Sequence, residues 1–470
     1  MMALLEYIGR ESGIDRTVRS AAGLEQAQAE RIVAVARFLA AVNGQAVTDM
    51  ESFQLSHDLP FRKPLRNRDC TALLDWLSSS WETDLPRQFM RLRRAFAPAG
   101  GGRMLACELA GTPCDPGRQG FRDREPDGPP FVRRRLIVYS GRHGEPVACA
   151  EESGIREHAA DIRDALQKAG LSAEQVETFT EEPLGSEEEL CAFLGAGIGF
   201  TALCPTDAAP ARAALKEGGE EALGLLSNMS PSDAGLAGAC LERAIPLPGA
   251  ERAAGGRKRQ AQNCGRVFLS LTKDLRLASE SEADFRTDLH ALRQKLERGG
   301  SLSGRERELA GSCLLTEKRD GRLRVTFNDA AAREEIGRFG LLALVSDRAD
   351  DAFDVLQAWT RCERTRTFFR NAERAVARMQ EGVAQPNTGE GALFVCLVAH
   401  CYADWLETRA ARIMDGLRAD PEDSTSEGED ASPGKDLLAW LEGCAAGDIL
   451  HHFDTLERSR GAENRFAQER

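Results

Sequence analysis

Arginines are the residues in this sequence whose types and spacing most directly suggest chemistry. The stretch LPRQFMRLRRAF (85–96) sets Arg87, Arg91, Arg93 and Arg94 among Phe89, Met90, Leu92 and Phe96. At helical spacing such a row could lay planar guanidinium groups along a phosphate backbone. An amphipathic helix with one solvated and one packed face has the same pattern. Two more basic runs share both readings: Arg133, Arg134 and Arg135 ahead of an apolar stretch, and Arg257, Lys258 and Arg259 in GGRKRQAQN. Arg91, Arg93, Arg94, Arg257, Lys258 and Arg259 are therefore the candidate DNA contacts.

Other chemistries have weaker support. The chain has 13 cysteines scattered singly, with no C-x-x-C pair, and seven histidines, of which His400 beside Cys401 has no second ligand pair at zinc spacing. Reduced, buried thiols are the expectation. The glycine-rich APAGGGR (97–103) lacks the Lys-Ser/Thr of a phosphate-binding loop, so no nucleotide cofactor is expected. No Ser/His/Asp or Cys/His set has a local signature.

Composition limits the partners. With 74 acidic and 61 basic residues, the net charge of -13 gives no global attraction for nucleic acid, so any such binding must be local. A length of 470 residues with 42% hydrophobic content is enough for two or three subdomains. No apolar run approaches the roughly 20 residues needed to cross a bilayer, and the early-charged N-terminus lacks a signal-peptide core. The expectation is a cytoplasmic protein with no membrane partner.

The elements that would position these residues follow from periodicity. Residues 1–98 read as helical, with Ile32, Val33, Val35, Ala36, Phe38 and Leu39 forming a wide apolar face. Residues 99–205 change to short strand-like runs, RMLACEL, RRLIVYSG, EPVACAE, QVETFT and GIGFTALCP, interleaved with two helices. One of these helices closes at Gly170, and the other opens at Ser186 as N-cap. That alternation predicts a mixed α/β layer. The segment 206–333 reads as an inserted subdomain of Ala/Leu-rich helical stretches with two strand-like runs, RVFLSLT and GRLRVTFN. In 334–418, FGLLALVSD predicts a buried strand and two long helices follow. An acidic Ser/Pro-rich linker at 419–435 is expected to be disordered, and 436–470 reads as a helical appendage.

Several of these phrases, in this order, resemble the DDE transposases of the insertion-sequence-four type. The resemblance rests on RLIVYSGRHGEPVACAEESGIREHAADIRDAL, on FTEEPLGSEEELCAFLGAGIGFTALCP, and most specifically on GRLRVTFNDAAAREEIGRFGLLALVSDRADDAFDVLQAW. It covers about 100–420. It implies a ribonuclease-H-like core that a mainly β insertion splits before the last helix of the active site, preceded by a helical region for DNA binding or dimerisation. It also implies DNA transposition: metal-dependent strand cleavage and transfer at the ends of a mobile element. The partner would then be DNA, the assembly a homodimer, and the location nucleoid-associated when DNA is bound.

That chemistry needs three carboxylates around two Mg²⁺ or Mn²⁺ ions, one activating the attacking oxygen and one stabilising the leaving oxygen. The resemblance places the first on Glu108 and the second on Glu181, each where the family has Asp. The extra methylene moves a carboxylate by about 1 Å, a displacement that can cost ~100-fold in rate. Registered on Trp359 and Phe369, the family signature Tyr-x2-Arg-x3-Glu-x6-Lys puts Cys362 at the Arg, Arg366 at the Glu and Glu373 at the Lys. Positions 359, 362, 366, 369 and 373 share one helical face. Glu363 lies one turn earlier, roughly 60° around the helix, and is the substitute third acid. The sequence therefore carries two expectations. In one, Glu108, Glu181 and Glu363 converge on metal. In the other, Arg366 occupies the third corner, pairs with Glu108 or Glu181, and leaves an inactive, transposase-derived DNA-binding or protein-interaction protein.

Overall fold

The computed structural model describes residues 1–21, 24–43, 50–55, 57, 64–79, 85–96, 103–114, 131–141, 144–151, 158–231, 233–246, 264–319, 322–380 and 389–419, and most of 437–455. The glycine-rich 97–102, the loop with Arg257, Lys258 and Arg259, and the acidic linker after Ala419 lie outside the described residues. The protein is mixed α/β. It divides into two compact units, one of Met1–Glu177 with Arg361–Arg470, the other of Thr178–Thr360.

The first unit opens with six helices: α1 (Met2–Glu11), α2 (Ile14–Ser20), α3 (Gln26–Ala41), α4 (Met50–Gln54), α5 (Asn67–Ser79) and α6 (Leu85–Phe96). A reciprocal capping box between Glu25 and Gln28 starts α3. Its predicted apolar face is buried, including Ile32, Val35, Phe38 and Leu39. Strands β1 (Met104–Cys114), β2 (Phe131–Tyr139) and β3 (Pro146–Glu151) follow. Both β1–β2 and β2–β3 pair antiparallel, and the order is β3-β2-β1-β4, where β4 (Val176–Phe179) carries the chain into the second unit. Between β3 and β4, α7 (His158–Lys168) ends in a left-handed turn at Gly170, φ 72°, a conformation that favours glycine.

In the second unit the strand order is β4-β5-β10-β7-β6. After β4 come α8 (Glu187–Ala196), β5 (Gly199–Leu203), α9 (Ala209–Ala214) and α10 (Glu220–Leu223). Ser186 caps α8 by accepting from the Glu189 amide, as its sequence predicts. Strands β6 (Leu236–Pro246) and β7 (Cys264–Asp274) pair antiparallel along their whole length. Helices α11 (Leu275–Glu297) and α12 (Gly304–Cys313), the hairpin β8 (Leu314–Arg319)–β9 (Arg322–Phe327) and α13 (Asp329–Gly337) lead to β10 (Leu341–Ser346). RVFLSLT and GRLRVTFN are strands, in β7 and β9. Their partners β6 and β8 were not expected. The Ala-rich LAGACLERAIP, in a stretch whose composition suggested helix, is extended because all its residues find ladder partners on β7, a tertiary effect that outweighs local propensity.

β10 pairs antiparallel with both β5 and β7, so the first hairpin of the 206–333 segment shares a sheet with β5. The second hairpin instead closes a small core of its own, where Leu289 and Leu292 of α11 meet Cys313, Leu314 and Val325. Helix α14 (Ala352–Met379) returns the chain to the first unit at Arg361, and α15 (Gly389–Ala419) packs there against α3 and α5. Phe394 through Ala399 of α15 are almost wholly buried, and each large apolar side chain so buried contributes roughly 1.5–3 kcal/mol. No helix among the described residues is long and apolar enough to cross a membrane.

Candidate functional site

The site begins on β1. Alternation along a strand sends Leu105, Cys107 and Leu109 to one face and Ala106 and Glu108 to the other. Glu108 is 1% exposed. In the β1–β2 register Glu108 stands opposite Leu136. Arg134, two residues along β2, is therefore its diagonal neighbour on the same face, with Nε 3.7 Å from Oε1. His158, at the start of α7, donates from Nε2 to the same carboxylate oxygen at 2.8 Å. The first carboxylate thus has two cationic or proton-donating neighbours.

The first-unit part of α14 supplies the opposite wall. Cys107 Sγ lies 3.4 Å from the Cys362 carbonyl, which fixes the helix against β1. One turn on, the side chain of Arg366 is 3% exposed, and its Nε donates to the main-chain oxygen of Glu108 at 2.9 Å. Its Nη1 donates to Glu363, whose side chain stays 42% exposed. Arg366 contacts the Glu108 backbone and takes Glu363 as its carboxylate partner, not the expected Glu108 or Glu181. Glu363 is consumed as a counter-ion. Of the predicted helical face, Trp359, Cys362, Arg366 and Phe369 are buried, while Glu373 is exposed. Glu181, in the bend after β4, is half-buried and belongs to the second unit.

These residues do not fit a divalent cation. Mg²⁺ and Mn²⁺ seek oxygen ligands with negative charge. Here an imidazole and the Arg134 guanidinium flank the Glu108 carboxylate, and the helix contributes a cation and no inward carboxylate at position 366. Among the described residues, no group of three or more His, Cys, Asp and Glu side chains is arranged to hold a metal ion.

Behind this wall is a buried polar network that the sequence did not reveal. Arg361 donates to Asp404 and to the Gly144 carbonyl, both at 2.6 Å, and its guanidinium sits 4.2 Å from the centre of the Tyr139 ring. The Tyr139 hydroxyl lies 2.7 Å from both Thr365 Oγ1 and His400 Nε2. Burial pushes the His400 pKa down to about 4, with Asp404 opposing and Arg361 assisting. The imidazole is therefore neutral at neutral pH.

The arginines of α6 separate by role. Arg93 is 1% exposed, paired with Glu145 at 2.5 Å and donating to the Ser12 carbonyl at 2.5 Å. It anchors the helix and is not placed to reach a phosphate, which corrects its inclusion among the DNA contacts. Arg87, Arg91 and Arg94 are exposed on the other face. The side chain of Arg133 lies outside the described residues, as do Arg257, Lys258 and Arg259. Sequence reasoning missed His158. The only signals were that it is one of seven histidines and that it sits at the start of a predicted helix.

No protein-family model matches this chain, and no curated protein matches it.

Proposed function

We propose that this protein is a catalytically inactive, transposase-derived DNA-binding protein built on a ribonuclease-H-like core. One observation carries the inactive part: the buried guanidinium of Arg366, hydrogen-bonded to Glu108 O, where the resemblance expects the third metal-binding carboxylate. The helix thus presents a buried cation, held by Glu363 and the Glu108 main chain, where a metal site needs an inward carboxylate. At the Glu108 carboxylate itself stand the His158 imidazole at 2.8 Å and the Arg134 guanidinium at 3.7 Å.

The order of elements supports the descent. A helical region comes first. Then follow β1, β2, a glycine turn, β3 and α7, then further strands, a hairpin-rich segment, and β10 leading into the long α14. The resemblance implies the same succession. DNA binding without cleavage is the reading that keeps the basic face of α6 and gives up the metals.

The test uses the full chain with labelled duplex DNA and supercoiled plasmid, in Mg²⁺ or Mn²⁺. Salt-sensitive duplex binding with no nicking is the expected result. Metal-dependent nicking that disappears in Glu108→Ala and Glu181→Ala would overturn the proposal in favour of an active transposase with a shifted acid set. Absence of DNA binding at low salt would overturn it as well, in favour of a protein-interaction role.

A further inference from the structure

The exposed face of α6 borders a cleft of about 390 Å³. The floor of the cleft is β3, at Val147, Ala148 and Cys149, and its far side is the end of α7. Four cations line it: Arg87, Arg91, Arg94 and Lys168. The lining includes no acid. In a chain of net charge -13, an acid-free cleft with four cations and an apolar floor concentrates positive potential at one place.

The cations have a regular arrangement. Arg87, Arg91 and Arg94 follow i, i+4, i+7, one stripe of a helix, spanning about 10 Å along its axis at 1.5 Å per residue. Arg93 faces away from the stripe and locks α6 to Glu145 and the Ser12 carbonyl, which holds the row in position. The last carbonyls of α7 do not oppose an anion as free acceptors. Ala165, Leu166 and Gln167 accept from the amides of Ala169, Leu171 and Gly170. Among the described residues Arg91, Arg94 and Lys168 have no ion-pair partner.

We propose that this cleft is a phosphate-binding site that seats the sugar-phosphate backbone of a nucleic acid, with Arg91, Arg94 and Lys168 as the phosphate contacts. The stripe from Arg87 to Arg94, about 10 Å long, with Lys168 across the cleft, suits successive phosphates better than one small anion. The inference rests on the DNA-binding reading above and locates its surface.

The test compares the wild type with Arg91→Gln/Arg94→Gln and with Lys168→Gln, and uses Arg305→Gln/Arg307→Gln on the exposed face of α12 as a control with equal loss of charge. Binding of a labelled duplex is measured across a salt series, and thermal unfolding is followed with inorganic phosphate. The expected result is that the α6 double variant loses ~10-fold or more in affinity and about 2 units of salt slope, at roughly one per phosphate contact. Lys168→Gln should lose about one unit, while the α12 control binds as wild type. If the wild type binds duplex and both cleft variants bind equally well, the cleft is not the surface, although the DNA-binding reading stands. If the wild type ignores duplex but is stabilised by phosphate in a way the cleft variants lose, the site takes a small anion and the nucleic-acid proposal falls together with the DNA-binding reading.

Discussion

Arg366 and Glu363 form an ion pair whose members have different environments, and that difference predicts how each should tolerate removal. The guanidinium is buried and its Nε satisfies the Glu108 carbonyl; the carboxylate is 42% exposed. Truncating Arg366 removes a buried hydrogen bond to the Glu108 carbonyl and leaves a cavity behind it, whereas truncating Glu363 leaves a guanidinium with its backbone contact intact. Arg366→Ala should therefore cost roughly 2–4 kcal/mol, and Glu363→Ala under about 1 kcal/mol, since exposed pairs contribute little. Urea unfolding of both variants checks this. Equal losses would mean that the pair, and not the backbone contact, holds Arg366 in place. His400 supplies a second residue-scale expectation. Its folded pKa, about 4, lies below the ordinary histidine value of 6.5 because burial disfavours the charged ring. Between these values the unfolded chain binds a proton that the folded chain does not, so stability falls as pH drops from 6.5 to 4, by up to about 3 kcal/mol. His400→Gln should flatten that part of the stability-pH curve relative to wild type. An unchanged slope would show that His400 protonates freely in the folded protein.

At the scale of elements, the helices were easier to read from sequence than their neighbours were. Periodicity located α3, α6, α14 and α15, and capping chemistry located the ends of α7 and α8, because both are encoded within a few residues. Strand register is not encoded so locally. The sequence contains Arg134 and Glu108, but only the pairing of Glu108 with Leu136 makes them diagonal neighbours. His158 reaches the same carboxylate only because the fold brings the start of α7 to β1. Arg93 and Arg94 are adjacent in sequence and opposite in role for a similar reason: a 100° step turns one into the protein and the other out. β6 was missed because an Ala-rich strand is defined by its ladder and not by its composition. Close approach of helices is equally invisible. A Cβ at Gly391 near the start of α15 would fall 2.2 Å from the Leu74 carbonyl of α5, and the Gly391 amide donates to Ser78. Gly391→Ala should push α15 off α5 and cost about 1–3 kcal/mol despite alanine's better helix propensity. Thermal unfolding reads this directly, and a neutral or stabilising result would mean the two helices separate without penalty.

For the whole molecule, the question is whether divalent ions are part of the folded state. A ligand that binds only the folded protein stabilises it by RT ln(1 + [L]/Kd), about 2.7 kcal/mol at one hundred times Kd. A working acid triad would therefore raise the unfolding temperature by several degrees in millimolar Mg²⁺ or Mn²⁺. On the proposed reading no third carboxylate meets Glu108, because the helix presents Arg366 instead. Arg366 stands at Glu108 O, and Arg134 and His158 stand at its carboxylate. The expectation is that neither ion, nor a chelator, shifts the unfolding temperature beyond the effect of ionic strength matched with NaCl. Replacing Arg366 by Glu should reverse this, because the new buried carboxylate would lie beside Glu363 and the Glu108 carbonyl with no cation between them, and a divalent ion would relieve the repulsion. That variant should be strongly destabilised in chelator and partly recovered by Mn²⁺. Mn²⁺-dependent stabilisation of the wild type, lost in Glu108→Ala, would show that the site is open to metal and that Arg366 moves aside to admit it.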